Sequence, residues 1–293
     1  MTLYNNIPGT NYLENHDLTT FSTMRLQTKG DIILVASLEA LSTLLKDLNK
    51  NKKPYRLLGW GANQILRALK NEVYIKLEFA FDAKYFEQVR DEYELPASLA
   101  LTQLTSHALK FGLKGWEVLT GIPASLGGAI YMNAGTRLGE IKDLLISVSV
   151  MDRAGKIREH QVNEKSFSYR HNHFVNDGEV IVGAKLKHYG LDESVPKKIQ
   201  EYADYRKKTQ PTNLKTCGCV FQNYSPTLPA GMAIDCLGLG GLEWGDLEIS
   251  TKHSNFFVNK GKATDADFDH FVEFVQDLLL RYYFSEFELE VKV

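Results

Sequence analysis

Tyr55-Arg56-Leu57-Leu58-Gly59-Trp60-Gly61-Ala62-Asn63-Gln64 is a short, mostly apolar run closed by two glycines one residue apart. Such a run bounded by glycine reads as a strand ending in a sharp turn. Glycine lets the backbone turn tightly and brings N–H groups close to an anion such as a diphosphate. By itself, a Gly-x-Gly after a strand is more often a plain turn. It is neither a Rossmann nor a Walker loop, because the third glycine and the Lys-Ser/Thr pair are missing. Its surroundings say more. Upstream, residues 31–36 suit a buried strand, and behind Ser37 as N-cap, Leu38, Leu41, Leu44, Leu45 and Leu48 recur at helical spacing. Downstream, residues 72–77 are again strand-like. This order predicts a small α/β unit carrying the glycine turn at one strand end.

From about Phe79 the texture changes. Residues 98–113 read as one helix, and glycine is dense from Gly112 to Gly139. Ile146, Val148 and Val150 alternate with small polar residues, Asp152-Arg153-Ala154-Gly155 is a hairpin turn, and residues 179–187 form a further strand. Residues 195–208 are a charged helix that stops before Gln210-Pro211, a domain boundary. Thr264 caps a last helix, whose apolar face carries Phe268, Phe271, Val272, Val275, Leu278 and Leu279. Phe287, Leu289, Val291 and Val293 alternate with charged residues, which predicts a closing strand. The fold class is α+β in three pieces: 1–78, 79–194 and 195–293.

A second small-residue loop runs Gly121-Ile122-Pro123-Ala124-Ser125-Leu126-Gly127-Gly128 and continues to Asn133 and Gly135. Two such loops suit a clamp on an extended diphosphate, or equally tight backbone packing in a core. Tyr169-Arg170-His171-Asn172-His173 places a guanidinium beside an aromatic ring, and arginine grips carboxylates with two parallel hydrogen bonds. Alone, it reads as a surface loop. The two histidines lack a third and fourth ligand, so no metal is expected. Cys217 and Cys219 are a redox pair, a zinc half-site or buried thiols, with buried thiols the default. Two residues apart on what reads as a strand, they are expected on the same face.

Composition removes several classes. The net charge of −2 gives no nucleic-acid footprint and no polybasic membrane surface. No apolar run approaches the roughly 18 residues of a membrane span. No secretory signal is read at the start, and three cysteines fit a reducing compartment, so a cytoplasmic location is expected.

The order of these motifs resembles the UDP-N-acetylenolpyruvoylglucosamine reductases, within the vanillyl-alcohol-oxidase-like (PCMH) class of FAD enzymes. The family's LGxGSN loop is similar to Leu58–Asn63, and its GIPGTxGGAxxMNAGAYGxE segment to residues 121–140. Its YRxSxF resembles residues 169–174, its GSxFxNP residues 218–223, and its AGxLI residues 230–234. Its SxxHxNFxxN is matched by Ser250, His253, Asn255, Phe256 and Asn259, and its terminal LExEVR by residues 287–292. The likeness spans roughly residues 15 to 293. Trp60 and Ala62 stand where the family has Gly and Ser, Asn172 where it has Ser, and Gly240 where it has a lysine.

The resemblance implies a two-part FAD-binding module followed by an α+β substrate domain. It implies reduction of UDP-N-acetylglucosamine enolpyruvate to UDP-N-acetylmuramate, a cell-wall precursor, with FAD as hydride carrier and NADPH as hydride source. FAD would lie on Gly59, Trp60, Gly61, Ala62, Asn63 and Gln64 of the first loop. From the second it would meet Gly121, Ile122, Pro123, Gly127 and Gly128, with Asn133 and Gly135 beyond. Arg170 and Glu290 would steady the enol-like intermediate, and Cys219, where many relatives carry serine, would donate the proton to C2. A free thiol, with a pKa of about 8.5, is protonated at neutral pH and a stronger acid than a hydroxyl. Tyr169, Asn223, Ser250, His253 and Asn255 would line the sugar-nucleotide pocket. The competing expectations are a flavin oxidase of the same fold acting on a hydroxy acid or alcohol, and a non-catalytic relative that binds FAD or a UDP-sugar.

Overall fold

The computed structural model describes residues 3–68 and 70–293. They pack as two units, each assembled from separated stretches of chain. The first comprises residues 3–14, 31–59 and 70–203; the second comprises 15–30, 60–68 and 204–293.

The first unit begins with β1 (Thr10–Asp17), β2 (Lys29–Val35), α1 (Leu38–Lys50), β3 (Tyr55–Leu58) and β4 (Val73–Leu77). The sheet order is β1-β2-β4-β3, with β2 and β3 both parallel to β4. Ser37 Oγ accepts from the Ala40 N–H at 3.1 Å, capping α1 where the sequence places the cap. Leu41, Leu44, Leu45 and Leu48 are fully buried against Ile33, Val35, Val73 and Ile75. Each such leucine contributes about 1.5–3 kcal/mol. The α/β unit is therefore as expected; β1 is an addition, hidden in the sequence because a polar, mostly exposed edge strand leaves no apolar pattern.

A second core in this unit is antiparallel. After β5 (Glu92–Pro96) come α2 (Leu101–Phe111), α3 (Leu126–Tyr131) and the short pair β6 (Gly135–Thr136) and β7 (Gly139–Glu140). Then follow β8 (Leu145–Met151), β9 (Ile157–Gln161), the small hairpin β10 (Phe167–Ser168) and β11 (His171–Asn172), β12 (Val180–Lys187) and α4 (Val195–Thr209). The sheet order is β5-β12-β8-β9, and Trp116, Tyr93 and Leu126 are wholly buried beside it. The expected helix over 98–113 starts at Leu101 instead. Residues 97–100 are a turn, closed by the Leu99 N–H on the Pro96 carbonyl at 3.1 Å. The second glycine loop holds it there: the N–H groups of Leu126 and Gly127 donate to the carbonyls of Leu99 and Ala97 at 2.7 and 2.8 Å. Tertiary hydrogen bonds outcompete the first helical turn there.

The second unit contains β13 (Thr216–Cys219), α5 (Ala230–Cys236), β14 (Glu243–Trp244), β15 (Leu247–Ile249), β16 (Phe256–Asn259) and α6 (Asp265–Tyr283). Its antiparallel sheet runs β13-β16-β15-β14, and α6 buries Phe268, Phe271, Val272, Val275 and Leu279. Arg67 forks onto Asp269 of α6 at 2.5 and 2.7 Å, tying residues 60–68 to that helix. The closing segment is not the regular strand its alternation suggests. It makes only isolated bridges, Phe221 to Leu289 and Gln64 to Lys292, because each neighbouring stretch accompanies it for a residue or two before turning away. Phe287 and Val291 are buried as expected, whereas Val293 is exposed.

Candidate active site

Within the first unit the two glycine loops meet. A Cβ built on Gly59 falls 2.8 Å from Ser125 Oγ and 3.8 Å from Gly128 Cα, so a side chain at 59 has no room. Gly127 is as tightly placed, its Cβ position 2.8 Å from that of Ala97. Ser125 Oγ accepts from the Gly128 N–H at 3.3 Å and caps α3. The bare backbone this leaves at Gly59, Gly127 and Gly128 is the kind of cradle a diphosphate takes, which fits FAD. Ser125 was absent from the sequence-based site; a serine before a helix that opens Leu-Gly-Gly was its signal. Gly121 adopts φ +73°, the left-handed region that glycine favours.

Arg170 belongs to the same unit. Residues 169 and 170 form the two-residue turn between β10 and β11, with Phe167 opposite Asn172 and Ser168 opposite His171. Arg170 has φ +55° in that turn, and its guanidinium lies 5.0 Å from the centre of the half-exposed Tyr169 ring. Asn172, which replaces the family's serine, is buried. Its amide donates to the Tyr131 carbonyl at 2.9 Å and accepts from the Val175 N–H at 3.0 Å, so the substitution joins the hairpin to the end of α3.

The second unit gathers the remaining residues. Gly61 has φ +62°, and a Cβ there would fall 2.2 Å from the Phe21 carbonyl oxygen. Beyond it, Asn63 Nδ2 donates to the Glu290 carbonyl at 3.0 Å, and a Cβ on Gly218 would stand 3.9 Å from the Ala62 carbonyl. The Glu290 N–H donates to the carbonyl of Val220 at 2.8 Å. Ala62, Asn63, Cys219 and Glu290 are thus neighbours on three adjoining segments. Trp60 is exposed, and Gln64 pairs with Lys292.

Ser250, His253 and Asn255 occupy the turn between β15 and β16. Asn255 is buried, and its amide donates to the Phe221 carbonyl at 2.8 Å and accepts from the Phe221 N–H at 2.9 Å. It supports the segment after Cys219. Ser250 is buried as well and accepts from the Lys252 N–H at 3.2 Å. His253 packs against α5, its Cε1 lying 2.9 Å from where a Gly231 Cβ would be, and burial pushes its imidazole below the usual histidine range. Asn223 is exposed and accepts from the Ala230 N–H at 3.1 Å. Among the described residues no cluster of three or more His, Cys, Asp or Glu side chains is placed to hold a metal.

The chain can be set against known proteins on these features. Residues 210–293 match the model of the UDP-N-acetylenolpyruvoylglucosamine reductase C-terminal domain, and residues 31–161 match an FAD binding domain. The UDP-N-acetylenolpyruvoylglucosamine reductase of Carboxydothermus hydrogenoformans is 32% identical over 290 residues, covering 96% of this chain and 93% of its own. That of Halalkalibacterium halodurans is 32% identical over 283 residues, covering 95% and 93%. The crystal structure of the corresponding reductase from Thermus caldophilus superposes with a TM-score of 0.80 at 32% identity, over 97% of this chain and 98% of that one. Similarity at this level runs from end to end, and the chain belongs to the UDP-N-acetylenolpyruvoylglucosamine reductase family.

Proposed function

We propose that this protein reduces UDP-N-acetylglucosamine enolpyruvate to UDP-N-acetylmuramate at the expense of NADPH, in the cytoplasm. The observation that supports the reading is the bond from the Glu290 N–H to the Val220 carbonyl, which runs the backbone of the expected enol-stabilising residue alongside the segment that carries the expected proton donor Cys219. FAD, when bound, would carry the hydride from NADPH to C3 of the enolpyruvyl group. The backbone of Gly59, Gly121, Gly127 and Gly128 would hold its diphosphate, with residues 60–64 and Gly135 completing the cofactor site.

The chain's own side chains do the rest. Arg170 grips the substrate carboxylate and balances the negative charge that develops as C3 gains hydride; a planar fork suits that group better than a point charge. Glu290 stabilises the enol-like state by hydrogen bonding. The Cys219 S–H gives its proton to C2, the sulfur keeps the electron pair as thiolate, and solvent returns the proton. Tyr169, Asn223 and His253 contact the sugar nucleotide, while Ser250 and Asn255 hold the turn that carries His253. Residues 1–78 and 79–194 act as the two cofactor-binding pieces and 195–293 as the substrate-binding piece. No helix among the described residues is long and apolar enough to cross a membrane.

The test is direct. Purified protein should show flavin absorbance, release FAD on denaturation, and oxidise NADPH only when the enolpyruvyl sugar nucleotide is supplied. A colourless protein that FAD does not reconstitute would overturn the reading. NADPH oxidation indifferent to the sugar nucleotide, with peroxide as product, would point to the oxidase alternative instead.

A further inference from the structure

We propose that Asn133 is a positioning residue for Arg170, fixing the guanidinium for its carboxylate through hydrogen bonds made by its side-chain amide nitrogen and its backbone carbonyl. The proposal rests on the role given to Arg170 above. Asn133 is completely buried and adopts φ +43°, so its side chain does not reach solvent and its backbone sits in the left-handed region. Its Nδ2 donates to Glu140 Oε2 at 3.0 Å and to the Ser168 carbonyl at 3.0 Å. Both partners only accept, so chemistry fixes which way the amide faces: the flipped amide would set oxygen against oxygen twice. Both amide hydrogens are spent inside the protein.

The remaining links lead to Arg170. Its Nη1 points to the Asn133 carbonyl at 3.5 Å and its Nη2 to the Gly135 carbonyl at 3.4 Å. These bonds are long, so they aim the guanidinium more than they bind it. Ser168 ends the strand that leads into the Tyr169-Arg170 turn. Asn133 therefore holds both the carbonyl toward which Arg170 reaches and the strand from which Arg170 departs. Lys142 pairs with Glu140 at 2.7 Å and balances the carboxylate that anchors the amide. Arginine is an unusual choice at φ +55°, and a strained residue kept at a turn tip points to a role that its neighbours must hold in place.

Two variants separate the clamp from the backbone. Asn133→Gly retains the left-handed conformation at little cost and removes the amide. Asn133→Asp keeps the shape and turns the two donated hydrogens into repulsion against Glu140 and the Ser168 carbonyl; it serves if the glycine variant takes up no FAD. Each is followed by stopped flow in both half-reactions. Misplacing a binding group by about 1 Å costs roughly 100-fold, so re-oxidation by the enolpyruvyl sugar nucleotide should slow by roughly 10- to 100-fold. Flavin reduction by NADPH should slow far less. In an Arg170→Ala background the same substitution should add nothing further, because the residue it positions is gone. Wild-type re-oxidation in both Asn133 variants overturns the proposal, as does a full multiplicative effect in the Arg170→Ala background. If Arg170→Ala itself re-oxidises at the wild-type rate, the failure lies in the role assigned to Arg170.

Discussion

Cys217 and Cys219 are two residues apart and meet different surroundings. Cys217 is 1% exposed inside the core of the second unit, and burial pushes its thiol up to about 12. Cys219 is half-buried at the end of β13. The sequence expectation that both point the same way fails at Gly218: its φ is +82°, and the pairing of β13 with β16 slips between Thr216 and Cys219. A bulge of this kind re-aims the side chain that follows it. Cys219→Ala should therefore nearly abolish product formation while flavin reduction by NADPH continues, and Cys219→Ser should restore substantial turnover. Re-oxidation of pre-reduced Cys219→Ala at the wild-type rate would place the proton donor elsewhere. Cys217→Ala should keep both half-reactions and lose stability on the order of 1 kcal/mol in thermal unfolding, as for loss of one methylene-sized group from a core.

At the level of elements, α6 shows how a local signal is written in full. Thr264 Oγ1 accepts from the Asp267 N–H at 3.2 Å, and Asp267 Oδ2 accepts from the Thr264 N–H at 2.8 Å, a complete capping box. Thr264→Ala should cost about 1 kcal/mol. The Thr264 backbone N–H, and after it the hydroxyl, hold the Asp267 carboxyl below the ordinary aspartate value. A lowered folded-state pKa stabilises the protein above the unfolded value of about 3.9 and ceases to do so as pH falls through the folded value. The gap in Tm between wild type and Asp267→Asn should thus be full at neutral pH and close as pH falls through the lowered folded-state value. A gap that persists at low pH would mean the charge contributes nothing. The first glycine loop is less forgiving. Gly61→Ala combines a strained φ with a Cβ 2.2 Å from a backbone oxygen. Overpacking costs about 1–3 kcal/mol, so this variant should lose at least that much in denaturant unfolding, and an unchanged midpoint would refute the close approach.

Over the whole molecule, the second unit depends on chain that comes long before it. Its core joins Met24, Leu26 and Ile65 to Phe221, Phe257 and Phe271. The Arg67–Asp269 fork and the Ile65 N–H bond to the Lys292 carbonyl at 2.8 Å add polar ties over the same distance in sequence. A fragment of residues 204–293 should therefore remain largely unfolded by circular dichroism and show poorly dispersed amide resonances. Cooperative unfolding of that fragment alone would show that residues 15–30 and 60–68 are dispensable to the core. Ligand linkage acts at this scale too: FAD at about 100 times its Kd should add about 2.7 kcal/mol and raise Tm with concentration.

The sequence by itself determined the α/β start, the Ser37 and Thr264 caps, the β8–β9 hairpin and the family, because each is written in neighbouring residues whose spacing or order is self-sufficient. The residue types at 170, 219 and 290 were legible for the same reason, once their motifs had been set in order. Only the tertiary structure decided that the turn before α2 would pair with the second glycine loop. It also decided that the chain end would bridge briefly rather than join a sheet. The slip at Gly218, and the commitment of the Asn133 and Asn255 amides inside the protein, were likewise decided there. Each of these turns on a hydrogen-bond partner distant in sequence, and a partner that arrives only on folding leaves no periodicity behind it.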